Sequence, residues 1–269
     1  MTDHYAVIGN PVEHSKSPRI HALFAQQTAQ DLDYTKLWAP REHFDAVAGA
    51  FFTGGGKGMN VTVPFKEDAH RFADRLTDRA DRASAVNTLR AEPDGTLLGD
   101  NTDGAGLVRD LRDNLEVKLA GTRILILGAG GAVHGILPAL LDEKPVHIVV
   151  ANRTAEKAYR LAEPLPDVDG AGLDAIPSGP FDVIINGTSS SLSDASLALP
   201  EGLVAATTAC YDLVYADHPT PFMEWAAAQS AETVRDGLGM LVEQAAESFF
   251  LWRGVHPETA PVIRALRPE

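Results

Sequence analysis

Short apolar runs, each closed by a glycine, proline or hydroxyl-bearing turn and followed by an amphipathic stretch, recur along the chain and predict alternating strands and helices. Residues 5–8 and 34–38 read as strands, and Pro18 opens a helix over 18–27. A helix over 41–52 is stopped by Gly54, Gly55 and Gly56, and a strand over 58–63 ends at Pro64. Residues 65–73 read as helix. The runs 86–91 and 96–99 flank Glu92-Pro93-Asp94-Gly95, a hairpin signal, and a helix over 103–114 follows. Further on, strands are expected at 124–127, 146–151, 183–185, 209–213 and 232–235, with a Ser-rich loop over 189–196. Helices are expected over 132–141, 239–252 and 257–266.

This order predicts an α/β protein of two domains. Residues 1–103, completed by 239–269, form an N-terminal α/β domain, and residues 104–238 form an inserted Rossmann-like, doubly wound parallel sheet. The C-terminal helices return to the first domain. Small-molecule sites concentrate in clefts where domains meet, so a cleft between the halves is expected.

Composition narrows the classes of partner. A net charge of −14 over 269 residues disfavours nucleic acid and anionic membranes, both of which need a basic face. One cysteine, Cys210, excludes an intrachain disulfide framework and a cysteine-rich metal site, and reads as a small core residue. The nine histidines are scattered, and no metal is expected. No apolar run is long enough for a membrane span and the first residues are polar, so a cytoplasmic protein is expected.

The strand at 124–127 breaks into Gly128-Ala129-Gly130-Gly131-Ala132 before a helix. Such a turn lets main-chain amides and the positive end of a helix dipole approach a pyrophosphate. The usual spacing would put a third glycine at position 133, where this chain has Val133. The next strand ends in Asn152, Arg153 and Thr154, with Lys157 one helical turn on. A carboxylate here would accept the ribose 2′-hydroxyl of NAD, whereas a guanidinium grips a 2′-phosphate. At roughly 1.5–3 kcal/mol per hydrogen bond to a charged group, one contact would separate NADP from NAD by about ten- to a hundredfold.

Four polar segments end or interrupt apolar elements in and around the first domain: 10–18, 60–66, 85–88 and 99–104. With their motifs Ser15-Lys16-Ser17-Pro18, Asn60-Val61-Thr62-Val63-Pro64-Phe65-Lys66, Asn101-Thr102-Asp103-Gly104 and Asp236-Gly237-Leu238-Gly239-Met240, the chain resembles the shikimate dehydrogenases of aromatic amino-acid and chorismate biosynthesis. The likeness extends from the first strand to Pro261. It implies an NADP-dependent oxidoreductase that reversibly reduces 3-dehydroshikimate to shikimate. Lys66 and Asp103 fall on the family's catalytic pair. A hydride delivered to a ketone leaves an alkoxide that needs a proton from a positioned acid, and an ammonium beside a carboxylate meets that need. Asp103 also reads as a helix N-cap.

The resemblance further implies Ser15 and Ser17 on the substrate carboxylate, with Asn60, Thr62, Asn87, Tyr215 and Gln244 around its ring. Gln244 sits on an apolar helix face, where its amide needs a partner such as a bound hydroxyl. Gly128, Ala129, Gly130, Gly131, Ala132, Asn152, Arg153, Thr154 and Lys157 would hold NADP(H), and Thr188, Leu213, Gly237 and Met240 would complete its nicotinamide side. Two departures stand out: Lys157 where a second arginine is common, and Gly187 where alanine is, which would add local freedom. A monomer or homodimer is expected. The alternatives are a quinate/shikimate dehydrogenase using NAD, which should carry an acid where Asn152 and Arg153 stand, and a non-catalytic NADPH-binding sensor, which should lack Lys66 or Asp103. A folate-type dehydrogenase would need an aromatic wall for a flat pterin.

Overall fold

The computed structural model describes residues 2–188 and 199–267, so the Ser-rich segment 189–196 lies outside the described residues. The chain divides into two compact units, Met1–Leu107 with Leu241–Leu266, and Val108–Met240 with Arg267–Glu269.

In the first unit, β1 (Asp3–Gly9), α1 (Ser17–Thr28), β2 (Leu32–Trp38), α2 (Phe44–Thr53), β3 (Gly58–Val61), α3 (Lys66–Phe72), β4 (Arg75–Leu76), α4 (Asp78–Ala83), β5 (Thr88–Ala91) and β6 (Leu97–Asp100) build a six-stranded sheet in the order β2-β1-β3-β5-β6-β4. β1 runs parallel to β2 and β3, while β5 is antiparallel to both β3 and β6. The sheet is therefore mixed. Carboxyl ends of β3 and β6 and the amino end of β5 lie along one edge, with Thr88 opposite both Asn60 and Asp100.

β1 reads as a strand because its core-facing run Tyr5, Ala6, Val7, Ile8 is buried on both faces, as parallel strands are. On one face Ile8, Met59, Val61, Leu89, Phe44 and Phe65 pack together. On the other, Ile20 and Phe24 of α1 meet Val242, Ala245, Ala246 and Phe249, which explains why the C-terminal segment belongs to this unit. Fully burying side chains of this size contributes about 1.5–3 kcal/mol each. The helices α5 (Asp103–Arg109) and α9 (Leu238–Arg253) each carry a unit boundary, and α10 (Thr259–Leu266) follows.

The second unit contains a π-helical turn (Asp110–Asn114), then β7 (Arg123–Leu127), α6 (Gly131–Asp142), β8 (His147–Asn152), α7 (Ala155–Ala162), β9 (Val168–Gly172), β10 (Phe181–Asn186), β11 (Val204–Asp212), α8 (Pro221–Ala228) and β12 (Thr233–Arg235). All its strands are parallel in the order β12-β11-β10-β7-β8-β9. Numbered from β7, this is the doubly wound order whose switch point falls between its first and fourth strands, here β7 and β10.

Several expected bounds move. The helix after Arg41 begins at Phe44, the strand from Gly58 stops at Val61, and the helix from Asp103 passes into a π turn at Asp110. β4, β9, α4 and α8 had no counterpart in the hydrophobic pattern.

Candidate active site

In the first unit the polar groups gather along one sheet edge. Lys66 opens α3 and Asp103 opens α5, and Lys66 Nζ donates to Asp103 Oδ2 at 2.5 Å. Their side chains are 19% and 8% exposed, so the pair is shielded yet reachable. The other carboxylate oxygen of Asp103 accepts from Asn87 Nδ2 at 2.8 Å. Asp103 does not cap its helix with that carboxylate, contrary to expectation. Its own N–H instead donates to Asn101 Oδ1 at 3.1 Å.

Asn87 joins this edge because β5 is antiparallel, which brings its amino end beside the carboxyl ends of β3 and β6. It is buried, with Oδ1 accepting from the Thr102 amide at 2.9 Å and Nδ2 also reaching Thr102 Oγ1 at 3.0 Å. Asn60 is equally enclosed: Tyr34 Oη donates to its Oδ1 at 2.7 Å, and its Nδ2 donates to Ser248 Oγ at 3.0 Å. Gln244 lies on α9, donates to the Leu241 carbonyl at 2.8 Å and accepts from Asn87 and Thr102 at 3.3 Å. Its amide thus has partners within the chain, so a bound hydroxyl is not needed to satisfy it.

Ser15 and Ser17 sit where β1 hands over to α1, with Ser15 Oγ donating to Ser17 Oγ at 3.1 Å. Two hydroxyls at the N-terminus of a helix, where amides and dipole favour negative charge, suit a carboxylate. Thr62 follows β3 directly, its amide donating to the Ile8 carbonyl at 2.9 Å. Tyr215 alone among the seven substrate candidates belongs to the second unit, in the coil between β11 and α8.

Beneath the edge, Asp100 is held by Arg79, whose Nε and Nη2 donate to its two oxygens at 2.6 and 2.5 Å. Burial works to raise this carboxyl's pKa, but the guanidinium outweighs it and the net shift is downward. Arg79 Nη1 also reaches Glu247 Oε2 on α9 at 3.3 Å, tying the turn before Asp103 to the helix that carries Gln244. Thr88 and Thr102 stood in the polar segments 85–88 and 99–104 without an assigned role, and the parts played by Tyr34 and Ser248 had no sequence signal assigned to them. Ser248 could have been found, since it stands one helical turn beyond Gln244.

In the second unit every cofactor candidate lies at or beyond the carboxyl ends of the parallel strands. Gly128, at φ +105°, ends β7 so close to β10 that a Cβ there would stand 2.9 Å from the Gly187 carbonyl. At Gly130 and Gly131 a Cβ would meet nothing within 4 Å, so bare backbone at the start of α6 faces open room for an anion. Gly187 serves space rather than freedom, because a Cβ on it would stand 2.7 Å from Val133 Cγ2.

Beyond β8, Asn152 Nδ2 donates to the Thr154 carbonyl at 2.9 Å and shapes the turn. The Arg153 and Lys157 side chains are exposed and make no ion pair among the described residues. Two uncommitted cations in a chain of net charge −14 fit a 2′-phosphate there. Thr188 Oγ1 donates to Asn186 Oδ1 at 2.7 Å, and Asn186 in turn donates to the buried Asp212 at 3.1 Å. Leu213 follows β11, and its carbonyl leaves no room for a side chain at Gly237. The Met240 amide donates to Tyr211 Oη at 3.1 Å, and that phenol donates to Asp110 Oδ2 at 2.6 Å. Cys210 is buried and its thiol is pushed up to about 12, which makes it a core residue. Among the described residues no helix is long and apolar enough to cross a membrane.

A parallel sheet in this order, with glycines at its switch point and cations past the second strand, defines a Rossmann-type dinucleotide-binding unit in one chain with a mixed α/β unit. Family models agree: the shikimate dehydrogenase substrate binding domain matches residues 7–89, shikimate / quinate 5-dehydrogenase matches 110–195, and the shikimate 5'-dehydrogenase C-terminal domain matches 237–267. A shikimate dehydrogenase (NADP(+)) of Halorhodospira halophila is 58% identical over 99% of each chain, and one of Alkalilimnicola ehrlichii 57% identical over 100% of each. The chain belongs to the shikimate dehydrogenase family.

Among solved structures, the Ael1 enzyme from Pseudomonas putida matches with TM-score 0.94 at 43% identity, covering 100% of this chain and 99% of that one. The shikimate 5-dehydrogenase of Thermus thermophilus in complex with NADP(H) and shikimate matches with TM-score 0.87 at 32% identity, covering 98% of each.

Proposed function

We propose that the protein catalyses the reversible NADPH-dependent reduction of 3-dehydroshikimate to shikimate, with Lys66 as the proton-transferring residue and Asp103 as its partner. The observation that carries this reading is the shielded 2.5 Å contact between Lys66 Nζ and Asp103 Oδ2, on the unit that also presents Ser15 and Ser17. The names of the relatives and the complex of the Thermus thermophilus enzyme support the substrate and cofactor.

Bound NADPH supplies the hydride. As the ketone carbon accepts it, the Lys66 ammonium gives a proton to the carbonyl oxygen, which becomes the hydroxyl. In the oxidation direction Lys66 takes that proton back. Asp103 holds the ammonium beside the reacting oxygen and accepts a neighbouring substrate hydroxyl, while Asn87 fixes the carboxylate's other oxygen.

Ser15 and Ser17 receive the substrate carboxylate at the start of α1, and Asn60, Thr62, Asn87, Tyr215 and Gln244 surround the ring. Gly128 to Ala132 cradle the pyrophosphate, Asn152, Arg153, Thr154 and Lys157 hold the 2′-phosphate, and Thr188, Leu213, Gly237 and Met240 line the nicotinamide side. The first unit is accordingly the substrate domain and the second the NADP domain. The enzyme acts in the cytoplasm as a monomer or homodimer.

NADP⁺ reduction by the purified protein with shikimate is the direct test. NADPH binding without turnover of shikimate in either direction would overturn the reading.

A further inference from the structure

We propose that Tyr34 is a positioning residue for the Lys66–Asp103 pair: its phenol sets the Asn60 amide, and Thr88 and Asn87 carry that setting to the Asp103 carboxylate. This rests on Lys66 and Asp103 being the reacting pair.

Main-chain groups, which have one possible role, fix the orientation of the two amides. The Asn87 main-chain carbonyl can only accept, and it accepts from Asn60 Nδ2 at 3.3 Å. That fixes which end of the Asn60 amide is nitrogen and turns Oδ1 to Tyr34, whose phenol must therefore donate, at 2.7 Å. Asn60 Nδ2 also donates to Thr88 Oγ1 at 3.1 Å and to Ser248 Oγ at 3.0 Å, and the one threonine hydrogen has Asn87 Oδ1 at 2.9 Å and Ser248 Oγ at 2.7 Å within reach. Accepting there and from the Thr102 amide, Asn87 turns its nitrogen to Asp103 Oδ1 at 2.8 Å. Asp103 Oδ2 is then left for Lys66.

Without the phenol, a buried amide oxygen has no donor. Recruiting the Thr88 hydroxyl in its place would draw that hydrogen away from Asn87. The Tyr34 ring is held independently of its hydroxyl. His21 on α1 stacks on it at 4.3 Å with planes 7° apart, and Trp252 packs at 6.3 Å. Burial pushes the phenol's pKa well up, and the Ser17 hydroxyl beside it pulls only part of the way back, so it stays a proton donor. A phenylalanine therefore keeps the packing and removes the phenol's hydrogen bond to Asn60 together with its interaction with the Ser17 hydroxyl.

The experiment is Tyr34→Phe, measured as shikimate oxidation in the wild-type and Asn87→Ala backgrounds. In the first, kcat is expected to fall about five- to twentyfold with KM for NADP⁺ unchanged, as for one lost buried hydrogen bond. In the second, the same substitution should cost under about twofold, because the relay is already cut. Thr88→Val should reproduce the loss and Thr88→Ser should largely avoid it, which keeps the test decisive if Tyr34→Phe folds poorly. Equal losses in both backgrounds, or a Thr88→Ser as impaired as Thr88→Val, would overturn the relay. Failure of the wild-type protein to oxidise shikimate would instead sink the functional reading beneath it.

Discussion

Val133, in the first turn of α6, fills the space that Gly187 leaves at the end of β10; a Cβ on the glycine would stand 2.7 Å from the valine Cγ2. The usual third glycine of a dinucleotide loop lets the helix pack close to the sheet. Here the bulk and the vacancy have changed sides. A β-branched side chain has little rotamer freedom to retreat.

Gly187→Ala is therefore expected to destabilise the second unit by about 1–3 kcal/mol, the usual cost of overpacking. Val133→Ala in the same chain should recover most of it. Denaturant midpoints of the two single variants and the double variant measure the coupling, and strictly additive losses would mean that the contact is not the cause.

Lys66→Ala is expected to lower kcat by about 10²–10⁴-fold while shikimate still binds, as for a lost general acid or base. Steady-state kinetics in both directions check it. A rise in KM with kcat intact would make Lys66 a binding residue.

Arg153 bears on cofactor choice. Arg153→Ala should raise KM for NADPH about ten- to a hundredfold and leave that for NADH nearly unchanged, since only the 2′-phosphate distinguishes them. Equal losses with both cofactors would point to a role in folding.

His21 makes stability depend on pH. It is fully buried among Tyr34, Phe24, Phe249 and Trp252, and burial lowers its pKa from 6.5 to about 3 against the opposing pull of Asn60. Between those values the unfolded chain binds a proton that the folded chain does not, so stability falls as pH falls through that window. His21→Phe should reduce the slope of folding free energy against pH by about 1.4 kcal/mol per unit near pH 5. Urea titrations of both proteins at several pH values measure it; parallel curves would show that the imidazole titrates normally in the native state.

Much of the fold was legible along the chain. β7 and β8 are buried on both faces and so read as unbroken apolar runs, and Pro18 marked the start of α1. β9 was not legible: Val168, Asp169, Gly170, Ala171 and Gly172 have little preference for a strand, and pairing with β8 makes them one. The polar helix α4, Asp78 to Ala83, likewise lacks an apolar stripe, and its Thr77 cap and the Arg79 ties to Asp100 and Glu247 give it a place.

The candidate site divides the same way. Lys66, Asp103, the glycine loop and Arg153 were visible because charge, glycine and spacing are written locally. The chain by itself determined which residue types were available and that strands and helices would alternate around them. Only the tertiary structure decided that Asn87 serves Asp103, that Tyr34 meets Asn60, and that Val133 lies against Gly187. Those pairings are set by an antiparallel strand within a mixed sheet and by strand order, which brings β2 and β3 to either side of β1 and β10 beside β7. Each joins residues whose separation in sequence no local pattern encodes.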